Sequence, residues 1–88
     1  MLLVTTIPTL HLNGTGATTL RDEYAAAYDA IEQAIRTLGD ATSNARDFYP
    51  QGPNAYWLHR KERDEAFVKL REVQSYIEAL LTGICDQL

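Results

Sequence analysis

"LRDEYAAAYDAIEQAIRTLGD", residues 20–40, decides the fold. Its apolar positions are Leu20, Tyr24, Ala27, Ile31, Ala34 or Ile35, and Leu38. The steps alternate between four and three residues, so these side chains line one face of an α-helix. Alanines at 25, 26, 27, 30 and 34 add strong helix preference and let a neighbouring element come close. A threonine N-cap is expected at Thr15, Thr18 or Thr19, with Asp22 and Glu23 at the positive end of the helix dipole. Gly39-Asp40 marks the far end, which places helix one over about 17–41.

A second segment repeats the pattern. Leu58, Ala66, Leu70, Val73, Ile77, Leu80 or Leu81, and Ile84 form a stripe that only Glu62 interrupts. Asn54 is the expected N-cap, Pro53 suits a first helical position, and Gly83 is the expected C-terminal cap. Helix two is therefore expected over about 54–82. Residues 42–53 form the loop between the two helices, and two long helices so joined make an antiparallel hairpin. Residues 1–14 read as an extended arm, β-branched at Val4, Thr5, Thr6 and Ile7, interrupted by Pro8 and closed by the "NGTG" turn at 13–16. Nothing later in the chain reads as a strand partner. The arm must lie on the helices or pair with another copy of itself.

The fold class that follows is all-α, one helical-hairpin domain. A chain of 88 residues supports only a small core. Cys85 is the sole cysteine, so no intrachain disulfide can form, and His11 and His59 are isolated from any metal-ligand spacing. Tyr28, Ile35, Phe67 and Ile77 widen each apolar face beyond one seam. Oligomerisation is then the expected source of further burial, as a homo-oligomeric bundle.

Charge and hydropathy exclude several classes. A net charge of −4 argues against nonspecific nucleic-acid binding. No apolar run reaches the roughly 20 residues of a membrane span. The apolar N-terminus has no basic flank and contains Pro8, so it does not read as a signal peptide, and a cytoplasmic protein is expected. Asn13-Gly14-Thr15 matches a glycosylation sequon but reads better as a turn.

The chemistry-bearing residues crowd the loop end. Arg46, Arg60, Lys61 and Arg63 are half of the eight cations, and Phe48, Tyr49, Tyr56 and Trp57 are half of the eight aromatics. The start of helix two offers free backbone N–H groups at the same end. Arginine suits bidentate phosphate binding and aromatics stack on bases. The expected ligand-binding residues are Arg46, Phe48, Tyr49, Gln51, Tyr56, Arg60 and Arg63. Asn13 joins them if a subunit boundary or the arm brings it near. Lys61, on the adjoining face, is the weaker candidate. A plainer reading stands beside this one. Tyr56 and Trp57 also fit as plugs of the hairpin end, and Arg60–Asp64 and Lys61–Glu65 as ion pairs on a solvated face. Asn13 and Thr15 fit equally as caps of helix one.

No Ser-His-Asp or Cys-His set, Gly-rich phosphate loop or metal-binding pair is present, so an enzyme is not expected, nor a cofactor. The motifs Asn13-Gly14-Thr15 and Arg46-Asp47-Phe48-Tyr49-Pro50-Gln51-Gly52 resemble those of a family of small phage and prophage helical-hairpin proteins. The likeness covers residues 12 to about 75. It implies a phage or prophage origin, and hence the cytoplasm of an infected or lysogenic bacterium, but no activity. A looser architectural similarity is to phage anti-defence "sponges", small helical oligomers that sequester cyclic nucleotides or NAD-derived immune signals. The expected function is thus a non-enzymatic anti-defence protein that sequesters a small anionic nucleotide-like ligand, of the cyclic nucleotide or cyclic ADP-ribose type. The alternative is a module that inhibits or scaffolds a host or phage protein through its apolar helix faces.

Overall fold

A computed structural model describes residues 5–41 and 43–88 of the chain. Residues 1–4 of the expected arm and Thr42 of the expected loop lie outside the described residues. The described chain is all-helical: helix α1 spans Ala17–Asp40, a 3-10 helix spans Ala45–Gln51, and helix α2 spans Ala55–Cys85. α1 and α2 pack as a hairpin. At 1.5 Å per residue they measure roughly 36 and 46 Å, so α2 overhangs α1. The molecule is a rod of 61 × 24 × 17 Å.

The capping differs from expectation. α1 begins at Ala17 after Gly16, and no side chain caps it, Thr15, Thr18 and Asn13 included. Because the helix starts at Ala17, Asp22 and Glu23 fall beyond its first turn, where the dipole no longer favours them. Its C-terminus is capped from outside. The Arg63 guanidinium of α2 donates to the carbonyls of Leu38 and Gly39, each at 2.9 Å. This places a cation at the negative end of the α1 dipole and ties the helices together.

The connection is more ordered than a loop. Asp47 reaches back, and its Oδ2 accepts the backbone N–H of Asn44 at 3.3 Å. That contact closes the first turn of the 3-10 helix. Gly52 then takes φ of 108°, a backbone region that favours glycine, and its N–H bonds the Tyr49 carbonyl. Pro53 falls before the Asn54 N-cap rather than at the first helical position. Asn54 contributes its backbone carbonyl, which accepts from Leu58, and no side-chain cap.

The core is thin. Ile35, Ile77, Leu80 and Ile84 are its buried apolar residues, with Gln74 the buried polar one. Ile35 and Ile77, read both as stripe positions and as widening the apolar faces, are central to it. Leu58 and Val73, expected on the buried stripe of α2, are exposed instead. Mid-hairpin, Gln74 donates to Glu32 at 2.7 Å, while Arg71 donates to Glu32 at 2.9 Å and to Gln74 at 2.8 Å. The clasp satisfies the polar groups, and no buried side-chain polar atom among the described residues is left without a partner.

The arm lies on α2. Gln87 donates to the Pro8 carbonyl at 2.8 Å and accepts the Leu10 N–H at 3.0 Å. One carboxamide thereby supplies the pairing that a strand would have given. Gly83 is inside α2, not at its cap. A Cβ there would meet Ile7 Cγ2 at 2.6 Å, so the glycine is what allows the arm to seat.

Candidate functional site

The loop end of the hairpin collects the expected residues unequally. Phe48 stacks on His59, ring centroids 4.5 Å apart, and lies 6.0 Å from Tyr56. His59 Nε2 is 2.7 Å from Ser43 Oγ. These half-buried groups pack the connection onto α2, so Phe48 already has a stacking partner.

Arg60 behaves differently. Its guanidinium carbon lies 5.6 Å from the Trp57 ring and 6.0 Å from that of Tyr56. Among the described residues it makes no ion pair, and the expected Arg60–Asp64 and Lys61–Glu65 pairs do not form. The rings outcompete a solvated carboxylate for this guanidinium, because exposed i,i+4 pairs are worth only a few tenths of a kcal/mol and an exposed cation–π contact about 0.5–1. Trp57 is 64 % exposed and plugs nothing. It was not among the expected site residues, and the geometry joins it to them.

Arg63 is turned to α1 by its two carbonyl bonds and by Phe67, whose ring centroid is 5.5 Å from its guanidinium carbon. Arg46, Tyr49 and Gln51 are exposed on the 3-10 helix. Residues three apart eclipse in that helix, so Arg46 and Tyr49 share one face. Asn13 is exposed in the turn before α1, at the other end of the hairpin. The arrangement thus brings together Tyr56, Trp57 and Arg60 on α2, while Arg46 and Tyr49 share a face of the 3-10 helix. The α2 N-terminus carries no side-chain cap.

Among the described residues no group of His, Cys, Asp and Glu could hold a metal ion. Among them, too, no helix is long and apolar enough to cross a membrane. The perturbed acid lies elsewhere: Glu32, in the mid-hairpin clasp, is held below the usual carboxylate range, chiefly by the Gln74 hydrogen bond and then by Arg71. Compared with protein-family models, curated proteins and solved structures, the chain matches none.

Proposed function

We propose that this chain is a non-enzymatic phage accessory protein that sequesters a small anionic ligand of the nucleotide type at its loop end. Arg60 carries the reading. It is a guanidinium braced by two aromatic rings and, among the described residues, left without a carboxylate partner, on a helix whose N-terminus carries no side-chain cap. Its charge is therefore free for an outside anion, in a protein whose Arg21, Arg36 and Arg71 are all paired to acids. Arg46 supplies a second phosphate contact. Tyr49, 72 % exposed, stacks on the base, since Phe48 is spoken for by His59. Gln51 reads the base edge. The phage assignment rests on the Arg46–Gly52 motif, and the sequestering role on the want of catalytic groups together with the sponge-like architecture.

Thermal unfolding against cyclic dinucleotides, cyclic trinucleotides and cyclic ADP-ribose isomers tests this. A true ligand at a hundred times its Kd stabilises the fold by about 2.7 kcal/mol. Arg60→Ala and Arg46→Ala each abolish the shift while leaving the unliganded melting temperature nearly unchanged. If every compound in the panel leaves the wild-type melting curve in place, the reading fails.

A further inference from the structure

The chain exposes far more surface than its mass requires. A compact monomer of 9.9 kDa has about 5,200 Å² accessible, whereas this one has 6644 Å². Its radius of gyration is 18.5 Å, against about 12 Å for a compact domain of this length. The excess, about 1,400 Å², exceeds the roughly 800 Å² that each partner buries in a standard interface.

The face that could use it is specific. Trp57, Lys61, Glu65, Val68, Glu72, Ser75 and Ala79 recur at steps of four and three along α2, on the side turned away from α1. Trp57 and Val68 on it are 64 % and 58 % exposed, and Leu58 and Tyr76 flank it at 58 % and 42 %. Two grooves follow each other along this face. One, of about 440 Å³, is walled by Trp57, Arg60, Lys61, Asp64, Glu65 and Val68. The other, of about 690 Å³, is walled by Val68, Glu72, Ser75, Tyr76 and Ala79, with Thr5 of the arm beside them. On the stripe itself, the first half thus carries the bulky Trp57 and the cation Lys61, and the second half the small Ser75 and Ala79 and the acid Glu72.

We infer that a second copy of this chain covers the face, α2 against α2 in antiparallel, about a twofold axis at the level of Ala66 and Phe67. Residues equidistant from that level then meet. Trp57 enters the groove at Ser75 and Ala79 of the second copy, and Leu58 meets its Tyr76. Lys61 faces Glu72 of the second copy and Lys69 faces its Glu65. An isologous interface needs knob and hole on one patch, and this patch holds both. The charges agree. Among the described residues none of Lys61, Glu65, Lys69 and Glu72 forms an ion pair, although Lys61–Glu65 and Glu65–Lys69 have i,i+4 spacing. One antiparallel register satisfies all four twice over. The inference does not depend on the ligand at the loop end.

Sedimentation equilibrium at micromolar concentration tests it, with circular dichroism as the check of fold. Wild type sediments at twice 9.9 kDa. Lys61→Glu sets acid against Glu72 at two symmetry-related places, and Glu72→Lys sets base against Lys61. Each weakens self-association about tenfold. Mixed one to one, the two variants restore a heterodimer at wild-type affinity, because every repulsion becomes an attraction. A monomeric wild type overturns the inference, whether or not it captures some other protein. So does an oligomer indifferent to both substitutions, or a mixture no tighter than its components.

Discussion

Replacing Gly83 with alanine separates local from tertiary control of this fold. Within a helix, Gly→Ala gains about 1 kcal/mol from backbone entropy and propensity. At Gly83 the new Cβ would stand 2.6 Å from Ile7 Cγ2 and 2.9 Å from Ile7 Cγ1. Both are closer than carbon atoms approach, and a β-branched side chain has little χ1 freedom with which to retreat. Relief must come from the arm backbone, which Gln87 holds through Pro8 and Leu10. Overpacking of this kind costs about 1–3 kcal/mol. Gly83→Ala is therefore expected to destabilise the protein by about 0–2 kcal/mol, where propensity alone predicts the opposite sign. In the Ile7→Ala background the clash is gone, and the same glycine substitution should stabilise by about 1 kcal/mol. The double-mutant cycle thus carries a coupling of about 1–3 kcal/mol. Urea unfolding at matched protein concentration reads it, and each kcal/mol also moves the melting temperature by about 4–8 °C. Gly83→Ala that is more stable than wild type, with no coupling to Ile7, would refute the docking of the arm on α2.

Two further outcomes follow from the contacts between the helices. Arg63→Ala removes both donors from the α1 C-terminus and should cost about 1.5–3 kcal/mol in urea unfolding; Arg63→Lys recovers part of it, since an ammonium reaches the same carbonyls without the planar fork. Glu32 is held below its ordinary range in the folded state. Its contribution is therefore complete above the unfolded carboxylate range and is lost as pH falls through the lowered folded value. Glu32→Gln should flatten the acid limb of stability against pH, and an unchanged limb would remove Glu32 from the clasp.

The long helices were legible because their signal is local. Alternating steps of four and three with abundant alanine specify α1 whatever surrounds it. The 3-10 helix was not legible. Seven residues containing Pro50 have no period, and their shape comes from Asp47 folding back on Asn44 and from the positive φ of Gly52. Gly83 misled for a related reason. A glycine near a helix end reads as a stop, but here it answers the approach of Ile7, residues away in sequence and adjacent only in the fold. Trp57 could have been placed. Tyr56, His59, Arg63, Ala66, Leu70, Gln74 and Ile77 step by three and four along α2, and each is less exposed than the stripe opposite. Counting His59 and Arg63 as inward would have turned Trp57 outward. The assumption that polar residues face solvent hid this: Arg63 faces inward because α1 ends there with carbonyls to satisfy.

The two proposals draw on neighbouring stripes of α2 and on different charges, which makes them separable. Arg60 leans over Tyr56 and Trp57 toward the loop end, whereas Lys61 lies one residue on, along the outward stripe. Trp57 and Arg60 both border the first groove: the Trp57 ring enters the groove of the second copy while Arg60 rests against it. Self-association would then hold the Trp57 ring still under the guanidinium and lessen the ordering cost of taking up an anion. The expected pattern is asymmetric. Arg60→Ala loses the ligand and keeps the dimer. Lys61→Glu weakens the dimer about tenfold and the ligand only indirectly, and the Glu72→Lys partner restores both together. Ligand affinity that ignores dimerisation would mean that the Trp57 ring is already fixed by its own helix, and that the two surfaces are neighbours without being linked.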